Sequence, residues 1–243
     1  MTQKRTHPPT LLTLARRAIE DHALFGKGDL VIAAVSGGPD SMALLHALSI
    51  LKKKMGFGLI AHGVDHGLRK EAILELDLAE KFAGKIGVPF DRTSLNVTPG
   101  GNLQARARTV RHAALEAVRV KMKARVIATA HHADDRAETM LMRILRGTGV
   151  RGLAVLPSRA EKAPLVRPFI FARKADVDAH NARHAVPFSL DPSNQNPRFL
   201  RARVRDELIP LLSELNPGVV DHLCNIAEEL SAKGVSHGES EET

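Results

Sequence analysis

Apolar and polar positions fall along this chain in blocks. Leu30 to Val35 (LVIAAV) is a short uninterrupted apolar run, bounded by Gly28 before it and Ser36-Gly37-Gly38 after it, which predicts a strand buried on both faces. Directly behind it, Met42, Leu44, Leu45, Leu48 and Leu51 recur at helical spacing from Asp40 to about Lys54. The alternation repeats: strand Phe57–Val64, amphipathic helix Glu71–Ile86, strand Val88–Leu95, a long helix Asn102–Lys123 with Asn102 as its cap, strand Val126–Ala130, and helix Asp134–Arg146. A short helix from Leu11 to about His22 precedes them. Strands that alternate with helices predict an α/β fold, a parallel sheet with helices on both faces. Met140, Met142 and Leu145 fit its core.

Beyond residue 147 the pattern changes. Gly147–Ala163 is loop-rich, an apolar run Leu165–Phe171 follows, and then a helix over about Arg173–Ala185. The Pro/Asn-rich turn Asp191–Pro197 leads to an Arg-rich helix from about Phe199 to Leu212 and a last helix over Pro217–Ala232. The expected organisation is a lead and short helix over 1–24, an α/β domain over 25–163, a C-terminal strand and helical extension over 164–232, and a disordered polar tail over 233–243.

Charge and composition narrow the class. In 243 residues the formal net charge is +8 and the pI about 9.9, which favours a polyanionic partner such as nucleic acid. A single cysteine, Cys224, excludes a disulfide framework or a cluster built on several thiolates. The start lacks the apolar stretch of a signal peptide, and no run approaches membrane-spanning length, so a soluble cytoplasmic protein without membrane contact is expected. With no Trp and no Tyr, few aromatic platforms exist to stack on a base.

The chemistry begins where the first strand runs into Ser36-Gly37-Gly38-Pro39-Asp40-Ser41 and a helix. A loop at the carboxyl end of a central parallel strand is where open α/β sheets bind ligands. Adjacent glycines let the backbone approach an anion, and loop N–H groups with a helix N-terminus present positive potential to phosphate. Ser36 and Ser41 add hydroxyl donors, and Asp40 suits Mg²⁺. The plain alternative is a β–turn–α junction that needs glycine only for geometry. The G-x-x-x-x-G-K-[ST] pattern is absent.

The loop resembles the SGGxDS loop of the ATP pyrophosphatase superfamily, which splits ATP between the α and β phosphates. Further motifs follow in order: His62-Gly-Val-Asp65-His66-Gly67-Leu68-Arg69, Asn102-Leu-Gln-Ala-Arg106 continuing to Arg111, His131-His132-Ala-Asp134-Asp135-Arg-Ala-Glu138-Thr139, Leu145-Arg146-Gly147-Thr-Gly149, Arg167-Pro168, and Phe199-Leu-Arg201-Ala-Arg203-Val-Arg205. Together, over roughly residues 12 to 220, they resemble the catalytic domain of the tRNA(Ile)-lysidine synthase family.

That resemblance implies a Rossmann-like, adenine nucleotide alpha hydrolase-like fold. It implies ATP as substrate with Mg²⁺, and as partners free L-lysine and a tRNA(Ile) with a CAU anticodon. The activity it implies is a carbon–nitrogen ligase: ATP adenylates the wobble cytidine, pyrophosphate leaves, and the lysine ε-amine displaces AMP at C2. Asp40, Arg111, Asp135 and Glu138 become the catalytic candidates, with Asp40 the metal ligand. Asp135 and Glu138 share a helix face and could bind Mg²⁺ or the lysine ammonium; the resemblance implies lysine recognition, and taken alone the pair is equally a charged helix start. Arg111 is a candidate grip on the lysine carboxylate or a phosphate, or else part of a solvated face beside Arg106 and Arg108. ATP-binding candidates are Ser36, Gly37, Gly38, Pro39, Asp40, Ser41, Ala61, His62, Gly63, His131, Arg146 and Gly147, with the Ala61–Gly63 backbone placed to read the adenine edge. Arg198, Arg201, Arg203 and Arg205 form a basic patch suited to an RNA backbone.

The family usually carries Tyr where His112 stands, and many members hold the tRNA with further C-terminal domains. Three other readings stand beside this one: a tRNA thiolase of the same superfamily, which lone Cys224 disfavours; an amide-forming ligase such as NAD synthetase; and a non-catalytic nucleotide- or RNA-binding descendant.

Overall fold

The structure, a computed structural model, describes residues 8–65, 67, 71–95, 103–160, 163–190 and 200–232. Among these residues five strands form one sheet in the order β3-β2-β1-β4-β5: β1 (Leu30–Val35), β2 (Gly58–Asp65), β3 (Phe90–Ser94), β4 (Val126–Ala128) and β5 (Leu165–Val166). Every pairing is parallel, as the apolar runs predict. The helices are α1 (Leu11–Asp21), α2 (Pro39–Met55), α3 (Glu71–Lys85), α4 (Leu103–Lys121), α5 (Ala133–Leu145), α6 (Lys174–His184), α7 (Leu200–Arg203), α8 (Ile209–Leu215) and α9 (Val219–Ala232).

Strand β1 shows why the sheet is covered twice. Val31, Ala33 and Val35 point into a large core with residues of α1, α2, α3 and α6. The alternate residues Leu30, Ile32 and Ala34 meet Leu115 and Val118 of α4 on the other face. The chain builds outward from β1 to β2 and β3, then crosses back to place β4 on β1's other side. The strand order therefore reverses between β1 and β4, and the crevice beyond their carboxyl ends is the switch point of the fold.

The last elements, α7 to α9, pack on or beside α5 rather than on the sheet. Ala133 and Ala137 of α5 share a small core with Val220 and Cys224 of α9. Leu145, expected in the core, is 58% exposed at the end of α5, while Met140 and Met142 are buried. The Leu165–Phe171 run gives a strand of only Leu165–Val166 before turning. The Arg-rich helix is not continuous α-helix: Val204–Leu208 forms a π turn between α7 and α8. Pro210 explains it, since it has no N–H for the fourth residue back and its ring crowds that carbonyl. Asn102, Arg198 and the 233–243 tail lie outside the described residues.

Candidate active site

The Ser36–Ser41 loop leaves the end of β1 and becomes the first turn of α2. Gly37 has φ +83°, and a Cβ there would stand 2.6 Å from the Glu75 carbonyl oxygen, so glycine is required twice over. Gly38 is different. Its backbone is extended, and a Cβ would meet only Ser36 Oγ at 3.6 Å, an ordinary contact. The fold itself does not demand glycine there, and the missing Cβ leaves the loop backbone open to close approach. Among the described residues no side chain caps α2, which leaves its first-turn amides open to a ligand.

The loop is braced from within and from outside. Ser41 Oγ donates to the Gly38 carbonyl at 3.0 Å and accepts from the Ser36 amide at 3.1 Å. Ser41 thus braces the turn itself as well as standing in the loop. The Ser36 hydroxyl lies 3.2 Å from Ser41 Oγ. Two of the loop's carbonyls are held from α6 and the segment after it: Asn181 Nδ2 donates to Pro39 O at 3.0 Å, and the Ser189 amide to Gly37 O at 2.9 Å. Neither residue was visible as a site residue in the sequence.

Across the switch point, His132 caps α5. The Asp135 amide donates to His132 Nδ1 at 3.4 Å, and the His132 amide donates to Asp135 Oδ2 at 3.0 Å. Asp40 faces this end: His132 Nε2 is 4.0 Å from Asp40 Oδ2, and Lys174 Nζ, from the start of α6, donates to Asp40 Oδ1 at 2.6 Å. Lys174 is a third site residue without a mark in the sequence, since its partner is 134 positions away. Arg173 and the Lys174 amide meanwhile hold Asp134.

The acidic pair converges as its helical spacing predicts. Arg201 Nε donates to Glu138 Oε2 at 2.7 Å and Arg201 Nη2 to Asp135 Oδ1 at 2.8 Å. Burial raises the Glu138 carboxyl above its ordinary range, although Arg201 pulls it down. Asp135 is held low, against burial, by His132, His131 and Arg201. Burial drives the His131 imidazole down to about 3, against Asp135 and assisted by Arg167, Arg108 and Arg201, so it is neutral at neutral pH. Its Nδ1 lies 3.0 Å from Thr129 Oγ1, and neither His131 nor His132 belongs to β4. Arg111 is pushed down by burial and by its neighbour Arg108, and among the described residues no carboxylate pairs with it. A desolvated guanidinium without an acid is suited to an anionic ligand.

Residues 12–212 match the PP-loop domain. The tRNA(Ile)-lysidine synthase of Thermobifida fusca is 36% identical over 230 residues, spanning 90% of this chain and 68% of that one. The chain belongs to the tRNA(Ile)-lysidine synthase family of PP-loop proteins. The bifunctional protein TilS/HprT of Listeria monocytogenes serotype 4b is 36% identical over 239 residues, 95% of this chain but 35% of that protein, so the chain spans about a third of that relative. The U34-tRNA thiolase NcsA of Methanococcus maripaludis, solved with its [4Fe-4S] cluster, superposes with a TM-score of 0.78 at 20% identity, covering 94% of this chain and 80% of that one. That likeness is one of fold alone.

Several residues that the lysidine synthase resemblance nominated stand elsewhere. Arg201, grouped with the RNA patch, turns inward onto the acidic pair. Arg203 pairs with Glu207 and Arg205 with Asp206, so the basic stripe is matched by acids along its own helix. Arg146 and Gly147 lie at the far end of α5 from His132, about 20 Å along its axis, and both are exposed. Ala61, His62 and Gly63 pair in register with β1 on one side and β3 on the other, which commits their backbone to the ladders. β2 outruns β1 by Val64 and Asp65, whose edge on that side is not paired with β1. His62 is 1% exposed, 3.0 Å from Thr93 Oγ1 through Nε2, and burial lowers its pKa against Asp91. A Cβ on Gly63 would strike Leu76 at 2.6 Å, so that glycine admits α3 to the sheet. Among the described residues no helix is long and apolar enough to cross a membrane.

Proposed function

We propose that this chain is an ATP-dependent ligase that joins lysine to C2 of the wobble cytidine of a tRNA(Ile) bearing a CAU anticodon. The observation that carries the proposal is the meeting, at one switch point, of an anion-ready loop with two carboxylates that already grip a guanidinium. Arg201 now satisfies Asp135 and Glu138 as the cationic end of a lysine would.

In this scheme the loop amides and the Ser36 hydroxyl bind the β and γ phosphates, and cytidine O2 attacks the α phosphorus as pyrophosphate leaves. Asp40 fits Mg²⁺, which takes one or two carboxylates and fills its other positions with phosphate oxygens and water. Bound there, the ion would offset charge on the phosphates. Lys174 then gives up Asp40 and turns to the phosphates. In the second half-reaction Asp135 binds the lysine ammonium. Glu138, its carboxyl raised by burial, accepts the proton that the amine must lose before attack. The nitrogen bonds to C2 as the C2–O2 bond breaks, and O2 departs with AMP. Arg111 holds the lysine carboxylate.

A sulfur-transfer reaction has little support in this chain. Its one cysteine, Cys224, is buried, donates to the Ala133 carbonyl at 3.3 Å, and has its thiol pushed up to about 11 by burial. The test combines the protein with ATP, Mg²⁺, labelled lysine and unmodified tRNA(Ile). Label in the tRNA with matched pyrophosphate release is the expected result. Pyrophosphate release without lysine transfer assigns another acceptor, and nucleotide binding without turnover assigns a binding module.

A further inference from the structure

Arg201, Arg203 and Arg205, expected to face RNA, are matched by acids, so the charge that would draw a polyanion stands elsewhere. It stands at the opposite end of the sheet, where the strands begin. There the chain enters β1, β2 and β4 side by side. The Gly28 amide donates to the Gly56 carbonyl at 3.0 Å, the Gly58 amide to the Asp29 carbonyl at 2.8 Å, and the Arg125 amide to the Leu30 carbonyl at 2.7 Å. Lys52 Nζ of α2 donates to the Gly87 carbonyl at 3.1 Å, which brings the turn before β3 into the same row. Exposed along this edge are Lys27, Lys53, Lys54, Lys85, Lys123 and Arg125. Among the described residues none of them pairs with a carboxylate. Asp29, which lies among them, accepts from the Gly26 amide at 2.9 Å.

Helix dipoles account for only part of this row. Lys53, Lys54 and Lys85 sit in last helical turns, where cations are favoured. Lys27 and Arg125 belong to no helix, and Lys123 follows the end of α4 in the left-handed region, at φ +55°. The turns after α2 and α3 use Gly56 at φ +75° and Gly87 at φ +69°, the residue that costs least in that conformation. At α4 a cation takes the position against the preference of the backbone.

We propose that this basic edge binds the phosphate backbone of the tRNA body, away from the anticodon. The row crosses four strands, about 15 Å at the usual strand spacing, so its cations can displace counterions from several successive phosphates. From here β2 runs 8 residues toward the end that carries the phosphate loop, about 26 Å. The reacting nucleotide and its neighbours are therefore out of reach, and a more distant stem is the occupant. The inference rests on the tRNA partner of the proposed function but not on its chemistry.

The test measures binding apart from ligation, by fluorescence anisotropy of labelled unmodified tRNA(Ile) and of its isolated anticodon stem-loop over a series of KCl concentrations. Lys53→Gln/Lys54→Gln/Arg125→Gln should bind the tRNA at least about tenfold more weakly, with a salt slope lower by about two to three. Its affinity for the stem-loop should be that of the wild type. Lys123→Gly should raise Tm and weaken tRNA binding about two- to threefold, opposite signs that a purely structural residue would not give. The proposal is overturned if the wild type does not bind the tRNA, if the triple variant keeps its affinity and slope, or if the stem-loop is lost in step with the tRNA. An equal loss per charge in Arg17→Gln/Arg183→Gln, exposed cations of α1 and α6, would reduce the effect to net charge and also overturn it. Edge-dependent tRNA binding without lysine transfer would sink the ligase reading and leave the edge standing.

Discussion

Helix α5 is held by arginines on two sides, and the two contacts have opposite character. On the rim, Arg201 joins Asp135 and Glu138 with its own side chain 41% exposed, and neighbouring Lys174 and Asp40 are similarly open. On the seam with α9, Arg136 is fully buried. Its guanidinium donates twice to the Leu156 carbonyl, reaches the Cys224 carbonyl, pairs with Glu228 at 2.9 Å, and stacks over Phe171. A guanidinium in contact with water can exchange its carboxylates for a ligand at small cost. One enclosed by carbonyls cannot, because any departure strands buried polar groups. One side of the helix is therefore built to be rearranged, the other to stay fixed.

The largest effect that would sharpen this contrast is on the rim. Asp40→Asn should lower pyrophosphate release about a thousandfold, ~4 kcal/mol of transition-state stabilisation. Its stability should change by no more than about 1 kcal/mol, because the Asp40–Lys174 pair is partly solvated. Single-turnover assays beside thermal melts measure both, and unchanged turnover removes Asp40 from the chemistry. The seam should answer in reverse. Arg136→Met should cost about 3 kcal/mol of stability, the low end for breaking a buried pair, since Glu228 keeps some contact with water. The folded fraction should turn over within about twofold of wild type. A Tm equal to wild type would break the comparison.

The rim was far more legible in the sequence than the seam. The parallel sheet rests on continuous apolar runs with glycine punctuation, while its strand order emerged only in the fold, and the Ser36–Ser41 loop announces itself by composition at a strand end. Asp135 and Glu138 share a helix face by spacing alone. What sequence could not show are partners chosen over long separations: Lys174 for Asp40, Arg201 for the acidic pair, Arg136 for Glu228. Arg201 looked like RNA-facing charge because a helix surface has no local mark for which side it buries. The π turn before Pro210, which alters the phase of that helix, was signalled only by the proline. Gly63 has a packing reason that the sequence could not show, since only the fold reveals Leu76 above it.

A smaller effect separates the two halves of the proposed reaction. Glu138→Ala should reduce lysine transfer about a hundredfold while pyrophosphate release changes less than about threefold. Quenched-flow measurement of pyrophosphate against label in tRNA distinguishes the two. Equal loss in both would mean that Glu138 shapes the site as a whole and does not serve lysine.

The smallest effect is a displacement in pH rather than a loss of rate. Burial raises the Glu138 carboxyl, and Arg201 opposes that rise. If ionised Glu138 takes the proton from lysine, transfer declines as pH falls through this raised pKa, so the acid limb lies above the ordinary glutamate range. Arg201→Met removes the opposing cation, so the carboxyl should rise further and the limb should move to still higher pH. Glu138→Gln should flatten the limb altogether. A limb that stays in place in Arg201→Met would assign it to a group outside the Arg201–Glu138 contact, and the rim would lose the property that most distinguishes it from the Arg136 seam.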